Sequence, residues 1–442
     1  MRRAAHPTLT SRLQFARALQ ARPFALLWAG QTISLLGDAV FTIAITWEVL
    51  LLTGSATAMS LIVVAQWGPK IVLLLFGGVL ADRVSRRLLM LWADAGRGCI
   101  VVLVVWLSWS HALQFWHLVA LAPLFGIVSS FFDPAYQAIM PQLVEADALP
   151  SANSLNIMSR NLGFLLGPML SAGCITLLGP ASAFAFDGLT FFVSATFLIA
   201  IRIPASIIAS VGPQSQIVAP VQLANEDSLP AGSPSKVGSA LQEIREGLRY
   251  VFAHTWLWVP VLASPLVSVG FAGPMWVSLP RLVRDVYGAG VWLIGAMATS
   301  DALGSIIAAL LIGSASKLRR RGIVAFTSII VGGCALVACA VPLPRSLEPV
   351  VAIIASSLVG CGLAIFMIIW GTLQQEKVPN DMLGRVSSIT QLGIVSALPA
   401  GLVLAGLLAD HIGPASVFAI GGILVIVPAA LALCFRAIRR ME

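Results

Sequence analysis

The sequence predicts an all-α membrane protein of twelve transmembrane helices, arranged as two parallel-repeat six-helix bundles. Three observations predict it: an unusually apolar composition, a series of unbroken apolar runs, and an internal repeat at a fixed offset.

Hydrophobic residues make up 58% of the 442 positions and charged residues 10%, with a mean hydropathy of +0.93. Water-soluble domains sit near roughly 45–50% apolar and about 25% charged. A chain this apolar has too little polar surface to cover itself in water, so lipid is its solvent. Its apolar runs reach the length of about 20 residues needed to cross a hydrocarbon core of about 30 Å. The expected spans are 24–52, 57–81, 87–109, 115–140, 152–178, 181–203, 256–284, 290–316, 322–344, 348–374, 385–409 and 414–436. The runs are continuously apolar rather than alternating, which selects helices over barrel strands.

The repeat is legible around two Gly-Pro steps. Gly179-Pro180-Ala181-Ser182-Ala183-Phe184-Ala185 and Gly413-Pro414-Ala415-Ser416-Val417-Phe418-Ala419 agree at six of seven positions, 234 residues apart. The same offset pairs Leu124 with Leu358, Gly126 with Gly360, Gly167 with Gly401 and Asp147 with Asp381. Six spans separate equivalent points, so the halves share one orientation. The expected organisation is a basic segment 1–22, a first bundle 23–205, a linker 206–254 and a second bundle 255–442. Ser206 to Gly238 is rich in Pro, Ser, Ala and Gly, a flexible composition. After it, Leu241, Ile244, Leu248, Val251 and Phe252 recur at helical spacing opposite Glu243, Arg245, Glu246 and Arg249. That pattern is an amphipathic helix on the cytoplasmic membrane surface.

The net charge of +8 and a pI near 9.6 suggest nucleic acid, but the placement of the cations excludes it. Of 27 Lys and Arg, 21 fall on the face shared by the termini and only Arg281, Arg284 and Arg345 on the other. The positive-inside rule then places both termini in the cytoplasm of a multi-pass cell-membrane protein. The basic N-terminus lacks a cleavage site and precedes a run too long for a signal h-region, so it leads into a retained first helix. The six cysteines all sit in apolar spans without metal-ligand spacing and are expected to be buried small hydrophobes. The five histidines form no ligand cluster. There is no phosphate loop, nucleophile motif or ATP-binding domain, so no cofactor, metal or enzymatic activity is expected.

After span two the chain reads Gly78-Val79-Leu80-Ala81-Asp82-Arg83-Val84-Ser85-Arg86-Arg87. Gly78 permits close packing, Asp82 can accept from a neighbouring helix N-terminus, and Arg83, Arg86 and Arg87 suit anionic headgroups. The run closely resembles the signature loop Gly-x-x-x-Asp-Arg-x-Gly-Arg-Arg of the major facilitator superfamily, with Ser85 in place of its second glycine. Thr53-Gly54-Ser55, Phe132-Asp133-Pro134-Ala135, Ala152-Asn153-Ser154-Leu155 and Gly384-Arg385-Val386 are similar to the drug:proton antiporter branch that includes macrolide and siderophore exporters. Span five carries Gly163, Gly167, Pro168 and Gly173. It resembles that branch's antiporter signature, which packs and bends the helix near the central cavity, with Ser171 and Ala172 where paired glycines are usual. Ordinary small-residue packing with a proline bend is the alternative.

Ionisable residues at membrane depth are costly and therefore candidates for function. Asp38 lies roughly 21 Å into span one and Lys70 roughly 16 Å from the cytoplasmic end of span two, at 1.5 Å per residue, so the two can pair. Asp94 and Arg97 are spaced for an i,i+3 ion pair on span three. Arg160 is in span five, Asp301 mid-way along span eight, and Glu48 and Asp187 nearer the outer interface, where solvation is the alternative to a role. A carboxylate that exchanges a proton between two environments is what proton-coupled transport needs; a structural ion pair fixing helix register is the alternative.

The resemblance implies a major facilitator fold acting as a secondary exporter of drug-like or natural-product small molecules in exchange for protons, by alternating access. A dedicated exporter or flippase of one amphiphile, such as a siderophore or lysophospholipid, is the runner-up; a membrane enzyme or sensor is remote. The expected partners are a small-molecule substrate, protons and the lipid bilayer, with no nucleic acid. The charge bias predicts that reporter fusions at Arg87, Lys236 and the C-terminus report cytoplasm and fusions near Gly54 or His111 report the opposite side; a cytoplasmic signal at Gly54 overturns the span map.

Overall fold

A computed structural model describes residues 17–83, 85–201, 236–314 and 319–441. The basic segment before Arg17 and most of the Pro/Ser/Gly-rich linker therefore lie outside the described residues. The first half contains α1 (Arg22–Thr53), α2 (Ala56–Arg83), α3 (Arg86–Trp109), α4 (Phe115–Ser129), α5 (Phe132–Ile139), α6 (Leu149–Leu178) and α7 (Pro180–Ala200). The second contains α8 (Lys236–Ala253), α9 (Thr255–Ala272), α10 (Val291–Ser314), α11 (Arg321–Ala340), α12 (Glu348–Lys377), α13 (Asn380–Ser396), α14 (Leu398–Ile412) and α15 (Pro414–Cys434). Eleven helical stretches among the described residues are long and apolar enough to cross a membrane, and α2 is the helix at the position of the remaining expected span.

Three expected spans are interrupted, each beside a proline. Span four breaks between α4 and α5, because Pro134 has no amide to donate to the carbonyl of Ser130. Span eleven breaks between α13 and α14, just before Pro399. Beyond α9 the backbone widens into π-helical turns over Gly273–Ser278, where Pro274 removes a ladder bond, and again over Leu282–Val286.

The chain divides into two compact units: residues 1–48 with 61–222, and residues 49–60 with 223–442. In the first unit α3 packs along α7, and Phe24, Leu27, Met90, Phe132, Ile139, Leu143, Leu155 and Leu198 form a buried core. In the second, α10 and α11 pack on α12, and α11 on α15. Lipid offers no hydrophobic drive for helices to associate, so close backbone approach has to supply the contact. A Cβ on Gly304 would lie 2.0 Å from the Ser357 carbonyl oxygen, and one on Gly360 2.0 Å from that of Asp301. These two glycines seat α10 and α12 against each other from both sides.

The repeated Gly-Pro steps have a conformational cause. Gly179 and Gly413 sit at φ +83° and +89°, where a Cβ is disfavoured. Each ends one helix and precedes a proline at the first turn of the next. The same hairpin corner is thus built twice from the same residues.

One expectation is corrected. Among the cysteines only Cys339 is buried, while Cys99, Cys334 and Cys434 are exposed; on a membrane helix an apolar side chain is as well accommodated facing outward as inward. Helix α8 forms as its periodicity predicts, but only part of its apolar face lies within the described side chains. Val251 packs against Leu257, Trp370, Val378 and Val386, whereas Leu248 and Phe252 are exposed. Arg385 of α13 ties Glu246 of α8 at 2.9 Å.

The α10–α12 contact yields a direct test. Gly304→Val forces the helices apart and is expected to destabilise the protein by about 1–3 kcal/mol, the usual penalty of overpacking. Gly371→Ala, whose added Cβ meets nothing within 4 Å, should leave the melting temperature in detergent unchanged.

Candidate functional site

The first unit encloses a charged cluster drawn from four helices. Arg97, on α3, is its centre and is 5% exposed. Its Nη2 donates to Asp94 Oδ1, one turn earlier on the same helix. Its Nη1 lies 3.8 Å from Asp38 Oδ2 on α1. The guanidinium carbon stands 4.6 Å from the ring centroid of Phe132 on α5 and 4.4 Å from that of Phe191 on α7. Two aromatic faces therefore complete the shell that the carboxylates begin.

Asp187 on α7 is near enough to Arg97 and Asp38 for their charges to act on it. It is fully buried, and neither of its carboxylate oxygens has a hydrogen-bond partner among the described residues. Gly37 makes room for it: a Cβ there would lie 2.6 Å from Asp187 Oδ1 and 2.1 Å from Thr190 Oγ1. Asp94 is likewise sealed, but the Asp38 side chain is 35% exposed. The cluster thus has one edge open and two acids enclosed. Burying unscreened charge in a low dielectric is expensive, so a cation or a proton gained here changes the energy of the unit.

The span-five motif positions that open edge. Gly163 packs against the Leu35 carbonyl, Gly167 against Ala39, and Ser171 Oγ donates to the Val40 carbonyl at 2.8 Å. All three contacts fall on the turn of α1 that carries Asp38. Helix α6 runs unbroken through Pro168. Gly173, grouped with the motif by sequence, meets nothing within 4 Å; Ser171 and Ala172 are the buried pair instead.

Other candidates lie apart. The side chains of Lys70, Gly78, Asp82 and Arg83 fall outside the described residues, so the expected Asp38–Lys70 pairing and the Asp82 contact rest there; within them, Asp38 meets Arg97. Arg86 donates to the Ala138 carbonyl at 2.8 Å, and Arg87 to the Leu198 and Ile199 carbonyls at 2.7 and 2.6 Å. These two arginines neutralise the ends of α5 and α7, where unsatisfied carbonyls concentrate negative charge. Glu48 is buried, not solvated, and makes no ion pair among the described residues. Asp301 is half-buried on α10, likewise without an ion pair among the described residues. Arg160 is exposed on α6, near Tyr136.

Sequence reasoning found Asp94–Arg97 and singled out Asp38 and Asp187, but not that one guanidinium gathers all three acids. It missed Phe132 and Phe191 as its aromatic walls and Ser171 as the prop of α1. An i,i+3 pair is visible along one helix; convergence of residues about 60 and 90 positions distant from it on other helices has no signature in a single chain.

Many helices long and apolar enough to cross a membrane, with ionisable side chains enclosed among those of the first unit, are the architecture of a solute transporter. The chain belongs to the Major Facilitator Superfamily, whose family model matches residues 27–402. It is 25% identical over 428 residues to macrolide efflux protein A of Streptococcus pyogenes, covering 95% of this chain and 97% of that one. It is 27% identical over 408 residues to the multidrug efflux pump Tap of Mycolicibacterium fortuitum, covering 88% of each. In fold it is similar to a bacterial homologue of the iron transporter ferroportin, with a TM-score of 0.69 at 15% identity, over 93% of this chain and 98% of that one. It is also similar to the nucleoside transporter NupG, with a TM-score of 0.65 at 10% identity over the same shares. The resemblance read from the signature loop is thereby confirmed at the level of the superfamily, and the protein is a transporter rather than an enzyme.

The cluster predicts strong coupling between its members. Arg97→Gln leaves buried carboxylates without their cation and is expected to cost about 3–5 kcal/mol, as breaking one side of a buried pair does. Adding Asp94→Asn should recover much of the lost folded protein. Fluorescence-detected size exclusion of the single and double variants measures this, and additive losses would show that the pair is not coupled.

Proposed function

We propose that the chain is a secondary efflux transporter that exports drug-like or natural-product small molecules in exchange for protons. The relatives named for macrolide and multidrug efflux support the substrate class, since similarity to them runs over nearly the whole chain. The observation that carries the proton reading is the Asp187–Arg97–Asp38 cluster, with one acid at an accessible edge and another fully enclosed without a hydrogen bond to its carboxylate. A proton entering at Asp38 relieves the excess negative charge around Arg97, and its departure restores that charge. If the two states of the transporter hydrate this edge differently, the charge state and the conformation are linked. Asp301 on α10 is the corresponding candidate in the second unit, and Glu48 a further one.

In the same reading both termini face the cytoplasm, the halves 23–205 and 255–442 are the moving bundles, and the loop Gly78–Arg87 governs their change of state through Asp82. The cluster carries acids and a base together, so it leaves the charge of the substrate open.

Accumulation of a panel of dyes and macrolides in cells with and without the chain, with and without an uncoupler, tests the proposal. Lower accumulation that the uncoupler abolishes is expected. Asp38→Asn, Asp187→Asn and Asp301→Asn each keep side-chain shape and remove titration. Loss of uphill export, with downhill movement retained, marks the proton carrier. Uncoupler-insensitive export, or full uphill export in all three variants, sinks the proton reading.

A further inference from the structure

The tip of the first helical hairpin does not belong with the rest of its helices. Val49–Ser60, the end of α1 and the first turn of α2, is part of the second compact unit, while the remainder of both helices is part of the first. What holds this tip is specific. Asp410, near the end of α14, accepts from the Ala56 amide at 2.8 Å with Oδ1, and from the Thr57 amide at 3.0 Å and the Ser55 hydroxyl at 2.6 Å with Oδ2. A carboxylate 353 and 354 residues away in sequence thus satisfies the Thr57 and Ala56 amides at the start of α2 that no helical carbonyl can reach. Ser55 also caps that helix itself, its Oγ accepting from the Ala58 amide at 3.2 Å.

Arginines complete the arrangement. Arg281 Nη1 donates to Asp410 Oδ1 and, at 3.2 Å, to the Ala409 carbonyl, while its Nε is held by Asp285 at 3.0 Å. Arg284 Nη1 donates to the Leu50 carbonyl at 3.1 Å, fastening the other arm of the tip. One turn before Asp410, a Cβ on Gly406 would lie 2.8 Å from Ser60 Oγ and 2.9 Å from the Ala56 carbonyl oxygen. The backbones therefore meet directly under the polar contacts. Sequence reading took Thr53-Gly54-Ser55 as a mark of family likeness and Arg281 and Arg284 as minority charges on the outer face; the structure brings them to one place.

We propose that Val49–Ser60 is a detachable strap and that Asp410, with Arg281 and Arg284, is the latch whose release opens this end of the transporter. Helices α1 and α2 run without a break through the two points, after Glu48 and after Ser60, where the chain passes between units. Relative movement of the units then has two outlets: bending both helices at those points, or letting the strap go. The latch is suited to letting go. Its bonds are charge-assisted and so individually strong, yet Asp410 and Arg281 keep 21% and 22% of their side-chain surface exposed. Water can take over each bond as it breaks, which the sealed Asp94–Arg97 pair does not permit. The small Gly406 surface leaves no side chain to disentangle.

The inference rests on alternating access and uses neither the substrate nor the coupling ion. Its test is pulsed electron paramagnetic resonance on the full chain in nanodiscs, in a background with the native cysteines replaced. One label pair, Leu52→Cys with Ile412→Cys, spans the latch; a second, Ala112→Cys with Arg345→Cys, joins two loops, one from each unit, that the charge bias of the sequence predicts on the same face. Asp410→Ala is expected to raise the long-distance population of both pairs at least several-fold, with Ser55→Ala and Arg281→Gln giving smaller shifts in the same direction. Should Asp410→Ala fail to fold, the two milder variants carry the comparison. Unchanged distances in folded variants overturn the proposal. So does lengthening of the loop pair alone, because the strap would then travel with the second unit while the helices bend.

Discussion

A guanidinium buried in an apolar bundle sets the terms for everything around it. Arg97 cannot be left in contact with hydrocarbon, so α1, α3, α5 and α7 each bring something to it: Asp38, Asp94, Phe132, and Asp187 with Phe191. The break in span four belongs to this arrangement, since Phe132 is the first residue of the short helix that follows it. So does the small-residue stripe of α6, which lets α1 come close enough to deliver Asp38. The cluster is a structural necessity and a chemical opportunity at once. Three acids around one base are stable only in certain charge states, and one of the acids is partly exposed.

The duplication copied the scaffold and not the chemistry. At the repeat offset of 234 residues, Asp38, Asp94, Arg97 and Asp187 correspond to Ala272, Ser328, Val331 and Gly421. Where Asp187 stands in the first half, Gly421 brings α15 onto α9, a Cβ there lying 2.6 Å from the Gly270 carbonyl oxygen. The second unit instead carries Asp301, at the position matching Trp67. The positive-φ corners at Gly179 and Gly413 stayed the same because backbone geometry left them no substitute. The two halves thus share hairpins and packing surfaces, while among the described residues the first gathers three acids around one buried guanidinium and the ion pairs of Arg281 with Asp285 and Asp410 in the second stay partly exposed.

This contrast also explains what the sequence could reveal. Helices, their number and the repeat are written in contiguous apolar runs and in Gly-Pro steps that need no partner to be read. The i,i+3 relation of Asp94 and Arg97 is equally local. Asp187 lies only seven residues past the start of its helix, and from position alone it looks half-solvated. Only packing against Gly37 and Thr190 encloses it. Exposed cysteines went unrecognised for a related reason: hydropathy says that a residue is in the membrane, not which way it points. The strap was the least visible element, because Ser55 and Asp410 are ordinary residues until the fold places a carboxylate over a helix start.

The central claim is that the Arg97 cluster carries the proton that drives export. Purified protein in liposomes, with a trapped pH indicator and an imposed outward gradient of a transported dye, tests it most directly. The account predicts proton movement opposite to the dye, at a fixed ratio, absent in Asp38→Asn although the dye still equilibrates. Dye movement with no accompanying proton flux in the unmodified protein, or an unaltered ratio in both Asp38→Asn and Asp187→Asn, would contradict it.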